Sequence, residues 1–208
     1  QDAIRQFAKI KKDNTGNMPP LPGIFPDFQA PVVFDGPDGR TLAMMRWGMP
    51  SPAFALKNRK TDTGVTNVRN TKSPHWRRWL SVECHCVVPF TRFSENRKGP
   101  GRPEAVWFAL NESRPLAFFA GIWTQWTLVR KLKEGETTDN LFAVLTTTAN
   151  AEVRAVHPKA MPVILTTKDE VDTWLSANVT EAMKLKRPLP DGSLQLVAEG
   201  TMTDSVPV

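Results

Sequence analysis

The chain has 208 residues, of which 40% are hydrophobic, so it is long enough and apolar enough to bury a core. That composition excludes an intrinsically disordered chain. A net charge of +6, from 27 Lys and Arg against 21 Asp and Glu, favours a polyanionic partner such as nucleic acid. The sequence has neither an apolar run of membrane-spanning length nor the apolar centre of a signal peptide. We therefore expect a cytoplasmic protein without membrane contacts.

The first thirty residues predict one helix and one irregular loop. Residues 2–12 place Ile4, Phe7 and Ala8 on one helical face, which is typical of a short amphipathic helix. Residues 14–31 are rich in Pro and Gly, which disfavour regular structure. Apolar residues within that loop are expected to anchor it to the core.

Several short apolar runs predict strands. Residues 32–34 and 41–47 flank a turn rich in Asp and Gly, so we expect them to form a hairpin. Residues 105–110 and 116–123 flank a polar turn and predict a second hairpin. Further strands are predicted at residues 84–90, 141–147, 163–166 and 194–198.

Helices are few in this sequence. Residues 167–170 form a capping box, which predicts a helix that buries Trp174. A second short helix is expected to begin at Asn150 and to end before Pro158. Several strands with few helices, and no alternation of strand and helix, predict an α+β fold. The sequence shows no domain boundary, so residues 1–208 are expected to form one domain.

Glu95 and His157 are candidates for proton transfer. Glu95 follows an apolar strand and precedes a polar loop, where a partly buried carboxylate can shuttle protons. The same position equally suits a solvated loop acid. His157 is one of three histidines, and a single histidine is more often structural than catalytic. The two residues by themselves leave both interpretations open.

The region between residues 50 and 80 is polar, basic and poorly periodic, which predicts a long surface excursion. Within it, Asn67 and Arg69 would share one face of an extended segment and could bind a sugar or a phosphate, or else form a polar turn. Basic residues then alternate with Trp76 and Trp79, a pattern that suits single-stranded nucleic acid. The same tryptophans equally suit core packing.

Cys84 and Cys86 are separated by a single histidine. This spacing does not fit a zinc knuckle and no second pair exists, so we expect no metal and no cofactor. Two residues apart in an extended strand, the two thiols are held about 6.8 Å apart, so we expect no disulfide between them.

Five segments together resemble one protein family: residues 46–50, 66–70, 86–95, 119–123 and 156–165. Asn67-Val68-Arg69 resembles the family's Asn-Ala-Arg, and Glu95 stands where the family has the Glu of its Cys-x-x-Pro…Phe-x-Glu segment. The chain departs from the family after His157, where one residue is extra and Lys159 is the only nearby cation in place of an Arg. The family is SRAP, the SOS-response-associated peptidases that trap abasic sites in single-stranded DNA.

The resemblance implies a mixed, mostly antiparallel, barrel-like sheet with a few peripheral helices. It implies a catalytic site of Asn67, Glu95 and His157. It also implies a nucleic-acid-binding surface built from Trp47, Pro50, Arg69, Arg77, Arg78 and Lys159.

The resemblance also implies a chemistry. Family members carry a cysteine that becomes the N-terminus once the initiator Met is removed autocatalytically. Its amine forms a Schiff base with the opened abasic sugar, and its thiol closes a thiazolidine. This implies a DNA-damage response enzyme of the bacterial cytoplasm, with peptidase and lyase-like activity, that acts as a monomer and joins the nucleoid when engaged. Since the chain starts at Gln1, we expect a short leading segment with the cysteine to precede it in the natural protein.

Two other functions remain open on the same residues. One is a non-covalent single-stranded nucleic-acid-binding module, which needs only the basic and aromatic surface. The other, less favoured, is a hydrolase that uses Glu95 and His157 on a small substrate.

Overall fold

The computed structural model describes residues 1–99, 103–200 and 203. The strands of this part are β1 (Lys12–Asp13), β2 (Gln29–Gly36), β3 (Gly39–Trp47), β4 (Asn67–Val68), β5 (His85–Phe90), β6 (Phe93–Arg97), β7 (Glu104–Ala109), β8 (Ala117–Val129), β9 (Glu136–Thr147), β10 (Met161–Pro162), β11 (Ile164–Leu165) and β12 (Gln195–Glu199). The helices are α1 (Asp2–Phe7), α2 (Ala151–Arg154), α3 (Lys168–Ser176) and α4 (Val179–Met183). None of the helices described is both long and apolar enough to cross a membrane.

A closed barrel of five strands forms the centre of the fold. Strand β2 pairs with β3 and β5, β5 pairs with β8, and β8 pairs with β9, all antiparallel. The ring closes where β9 runs parallel to β3, through Arg46 opposite Leu141 and Trp47 opposite Phe142. The predicted α+β fold with a mixed, mostly antiparallel, barrel-like sheet is therefore confirmed.

The first predicted hairpin is confirmed, with a two-residue turn between Gly36 and Gly39. Gly39 has φ +98°, a conformation that residues with a side chain rarely adopt, so the turn needs a glycine here. The predicted first helix is too long, because α1 ends at Phe7. Lys9 then adopts φ +54° and turns the chain into β1, which pairs with β3.

The second predicted hairpin is wrong. Strand β7 pairs with β6 and β12 in a separate three-stranded sheet, whereas β8 belongs to the barrel. The first half of β8 has both edges occupied, by β5 on one side and by β11 and β9 on the other. No edge of β8 is therefore open to β7, and the polar turn between them connects two sheets.

The barrel strands contribute alternate side chains to two apolar clusters. Val32, Cys86 and Phe142 enter one cluster, and their neighbours on the opposite face enter a larger one that includes α1 and α3. Trp174 of α3 fixes the helix to the barrel, since its indole nitrogen donates to the carbonyls of Cys86 (2.9 Å) and Gly121 (3.1 Å). The capping box that predicted α3 is present.

The region between residues 50 and 80 is tied to the barrel more closely than a surface excursion would be. Arg130 has a side chain that is only 2% exposed, and it donates to the carbonyls of Asp62 (3.0 Å) and Gly48 (2.7 Å). Met49 bridges to Val65, and β4 adds to the edge of β9. The Arg130 guanidinium therefore holds together two loop segments that border β3 and β4.

The Arg130 guanidinium occupies the space next to Gly64 in which any other residue would place its Cβ. A Cβ at Gly64 would lie 2.1 Å from Nη1 of Arg130, whereas a Cβ at Gly135 would meet no atom within 4 Å. Both glycines have positive φ, of +79° and +69°. We expect Gly64→Ala to lower the free energy of unfolding in urea by about 1–3 kcal/mol more than Gly135→Ala, because only the former displaces a buried side chain. Equal losses in the two variants would contradict this.

Candidate functional site

Glu95 and His157 face each other across two elements. Glu95 lies on β6 opposite Val106 of β7, and His157 follows α2, where its backbone N–H donates to Val153 (2.7 Å). His157 Nδ1 is 3.6 Å from Glu95 Oε2. The same Nδ1 is 3.0 Å from the carbonyl of Ala160, which only accepts, so Nδ1 carries the proton. Nε2 is then the nitrogen that is left for a ligand.

Asn150 holds the helix that precedes His157. It caps α2, with Oδ1 accepting from the Val153 N–H at 3.2 Å, and it is 2% exposed. Its own backbone N–H lies 3.3 Å from the Met161 sulfur. Asn150 therefore fixes the start of the short segment that ends in His157. The sequence signalled the helix start at Asn150 but gave no sign of this positioning role.

Burial changes the acidity of Glu95. With 22% of its side chain exposed, burial raises the pKa of Glu95 above its ordinary value of 4.5, and nearby His157 opposes this without cancelling it. A carboxyl group with a raised pKa gives and takes protons closer to neutral pH than a solvated one. The alternative interpretation, that Glu95 is a fully solvated acid in a loop, is therefore wrong.

Asn67 lies on the short strand β4, opposite Val144 of β9. Its neighbour Val68 is buried, so the Asn67 side chain is on the other, exposed face, where Nδ2 is 3.4 Å from Thr66 Oγ1. Arg69 follows and is exposed. The hydrogen bonds of Asn67 within the described chain do not include Glu95 or His157, so their convergence on one cleft stays a prediction.

Strand alternation relates Asn67 to Glu95. Val144 pairs with Gly121 on β8, and Phe119 lies two residues before Gly121 on the same face. The Phe119 ring centroid is 5.7 Å from that of Phe93, which lies two residues before Glu95 on β6. The barrel face that carries Asn67 and the face of the small sheet that carries Glu95 therefore meet at the contact between Phe119 and Phe93.

Trp47 lies next to β4 at the point where the barrel closes. Its indole nitrogen donates to the Thr66 carbonyl at 3.0 Å, and its ring is parallel to that of Phe142, with centroids 6.1 Å apart. Trp47 is half-buried. Pro50, in contrast, is buried, and its carbonyl accepts from His75 Nε2 at 3.0 Å. Pro50 shapes the loop after Trp47 rather than presenting a surface to a ligand.

The remaining predicted DNA contacts are exposed cations. Arg77 and Arg78 lie on a short 3₁₀ turn, and Lys159 lies two residues after His157. Trp76 and Trp79 are buried, at 7% and 4% exposed, so core packing is the interpretation that holds for both tryptophans. The basic residues of this stretch are thus available to a ligand while the two indoles are not.

The two cysteines are not reactive thiols. Burial raises the pKa of the half-buried Cys84 and raises that of the fully buried Cys86 well above its usual range. The thiolate is the nucleophilic form, so both are poor nucleophiles near neutral pH. Within the described residues, no three His, Cys, Asp or Glu side chains come together as a metal site.

The fold and this site define a barrel-based α+β protein with a partly buried Glu–His pair. The family model for the SOS response associated peptidase (SRAP) matches residues 1–201. The chain therefore belongs to the SRAP family, and the resemblance seen in the sequence is confirmed. Membership associates the protein with the SOS response to DNA damage.

Solved structures share this fold. A crystal structure of a Bordetella bronchiseptica protein aligns with a TM-score of 0.68 at 20% identity, over 96% of this chain and 94% of that one. A crystal structure of a Bacteroides thetaiotaomicron protein aligns with a TM-score of 0.60 at 23% identity, over 81% of this chain and 72% of that one. A search of the curated proteins found no match.

The raised pKa of Glu95 predicts a pH-dependent effect of Glu95→Gln on stability. The folded state holds the Glu95 proton more tightly than the unfolded state, so this stabilising effect is complete below the ordinary pKa of 4.5 and is lost as pH rises through the folded pKa. Wild type should therefore lose stability relative to Glu95→Gln as pH rises from about 4 to 7. Urea unfolding of both proteins across that range measures the difference, and a constant difference would contradict the raised pKa.

Proposed function

We propose that this protein recognises an abasic site in single-stranded DNA and bonds to it through a terminal cysteine, which forms a thiazolidine. The observation that carries the proposal is the Glu95–His157 pair, 3.6 Å apart, with the pKa of Glu95 raised by burial. Family membership supports the association with DNA damage. The exposed cations Arg69, Arg77 and Arg78 support a nucleic-acid ligand.

The reaction begins when the abasic sugar opens from its cyclic hemiacetal to an aldehyde. His157 assists this step, because Nε2 is its unengaged nitrogen and can exchange a proton with the sugar hydroxyl. Asn67 orients the sugar, since an exposed amide both donates and accepts hydrogen bonds. The neutral terminal amine then attacks the aldehyde carbon. An α-amine has a pKa of about 8, so a fraction of it is neutral at pH 7.

Glu95 moves protons in the two steps that follow. Its protonated form donates to the hydroxyl of the carbinolamine, which leaves as water and gives the imine. The cysteine thiol then adds across the C=N bond, with sulfur joining carbon and the proton reaching nitrogen. The net change is aldehyde plus cysteine to thiazolidine plus one water, so no oxidant or reductant is required. A partly buried carboxyl with a raised pKa suits both the donation and the return of the proton.

An adduct experiment tests this chemistry. Gln1 contacts Asp13, which pairs with Leu42, five residues before Trp47 on β3. A leading segment of at least about five extended residues, about 3.4 Å each, can thus carry a terminal cysteine from Gln1 toward Trp47. We expect this form to give a heat-stable adduct with abasic single-stranded DNA on a denaturing gel. Glu95→Gln in the same form should slow adduct formation by about 100-fold or more, because the proton shuttle is lost.

Two controls separate the steps. Serine in place of the terminal cysteine should leave at most an imine that borohydride traps, since the ring cannot close without sulfur. The chain that begins at Gln1 should bind but form no stable adduct, because neither Cys84 nor Cys86 has a free α-amine beside its thiol and burial raises the pKa of both thiols. An equally stable adduct from that chain would refute the mechanism. Binding without any adduct from the cysteine form would assign the non-covalent module instead.

Salt dependence tests the basic surface. If Arg69, Arg77, Arg78 and Lys159 each neutralise one phosphate, the slope of log K against log salt should be about −0.7 × 4, or roughly −2.8. Affinity for a short single strand should then fall about 50-fold between roughly 50 and 200 mM salt.

Variants that each remove one positive charge identify the residues that set the slope of log K against log salt. Arg69→Gln should make the slope shallower by about 0.7. Lys12→Gln is a matched loss of one positive charge, but at a lysine that is already paired with Asp38, so the slope should stay unchanged. Fluorescence anisotropy at several salt concentrations measures both. A flat salt profile in wild type would exclude this surface as the binding site.

A further inference from the structure

Trp126 is the one tryptophan of the described chain that is exposed. It lies on β8 and is 37% exposed, whereas Trp76, Trp79 and Trp174 are 7%, 4% and 0% exposed. A partly exposed indole offers a flat ring face for stacking, and its neighbours decide whether that face suits a ligand.

The exposed indole is held in place. Trp79 packs against it nearly at right angles, with ring centroids 5.9 Å apart. The Arg78 guanidinium carbon lies 4.9 Å from the centre of the Trp79 ring and 6.0 Å from that of Trp126. A ring that is already positioned loses little conformational entropy when a ligand stacks on its remaining surface.

Two arginines lie at or next to this ring. Arg77 and Arg78 are exposed, and neither forms a salt bridge with a carboxylate of the described residues. A partner that complements an aromatic face next to two free cations has a flat ring and a nearby negative charge. An unpaired nucleotide offers both, through its base and its phosphate.

Trp126 is remote from the proposed reaction. It lies five residues along β8 from Gly121, or about 17 Å at about 3.4 Å per residue. Gly121 pairs with Val144 of β9, and Val144 in turn pairs with Asn67 of β4. Strand alternation also puts Trp126 on the opposite face of β8 from Gly121. Residues 69–78, which carry four cations, follow β4 along the chain and lead to Arg78 beside Trp126.

We propose that Trp126 and Arg78, with Arg77 beside them, form a second contact for single-stranded DNA, which stacks an unpaired base several nucleotides from the reacting sugar. This inference rests on the proposed function, because the same strand occupies both places. It implies that affinity depends on strand length beyond what the reactive nucleotide and its neighbours require.

Length-dependent binding tests the second contact. Anisotropy compares a strand of about 5 nucleotides with one of about 20, each holding a non-reactive tetrahydrofuran abasic analogue. Trp126→Ala should weaken binding of the long strand at least about five-fold, the low end of one base stack, and leave the short strand unchanged. Trp126→Phe should restore most of the loss because a flat ring remains. Phe54→Ala removes another exposed aromatic ring and serves as the matched control.

The outcomes distinguish this inference from the proposed function. Wild type that binds neither strand overturns both. If wild type binds both strands and Trp126→Ala binds the long strand with the same affinity as wild type, only the second contact is overturned. If wild type sediments as a dimer and Trp126→Ala as a monomer, with DNA affinity unchanged, the ring belongs to an interface with a second copy of the chain and the second contact is overturned too. Equal urea midpoints for wild type and Trp126→Ala establish that folding is intact.

Discussion

The closure of the barrel between β3 and β9 is the constraint on which the rest of the structure depends. Only Arg46 and Trp47 make this parallel contact, and the Arg46 guanidinium reinforces it with Asp27, Glu134 and Asp139. These pairs raise the pKa of Arg46 well above its usual range, with Asp27 as the largest cause, so the charge persists at every relevant pH. Because β9 meets β3 there, its next residues are free to accept β4, which carries Asn67.

The sequence predicted those parts of the fold that local patterns encode. The first hairpin and helix α3 have a turn glycine and a capping box that act within a few residues. The pairing of β7 was not predictable in this way, because it depends on which edges of β8 are already occupied. Strand β6 was missed since its residues are mostly polar, and its pairing comes from the neighbouring β7.

The site shows the same division between local and distant information. Glu95 and His157 were found through their resemblance to a family, since their separation along the chain hides their 3.6 Å approach. Arg130 was invisible in the sequence because its partners, Gly48 and Asp62, lie 82 and 68 residues away. Trp76 and Trp79 were ambiguous because the same ring that stacks on a base also fills a core.

Glu95 belongs to the small sheet, whereas Trp47 and Asn67 belong to strands of the large sheet. Phe93 of the small sheet joins the two sheets, because its ring packs edge-on against Phe90 and Phe119 of the barrel, with centroids 5.8 and 5.7 Å apart. The position of Glu95 relative to the barrel thus depends on phenylalanine packing, so a substitution at Phe93, two residues before it, can move the carboxylate without changing any polar residue.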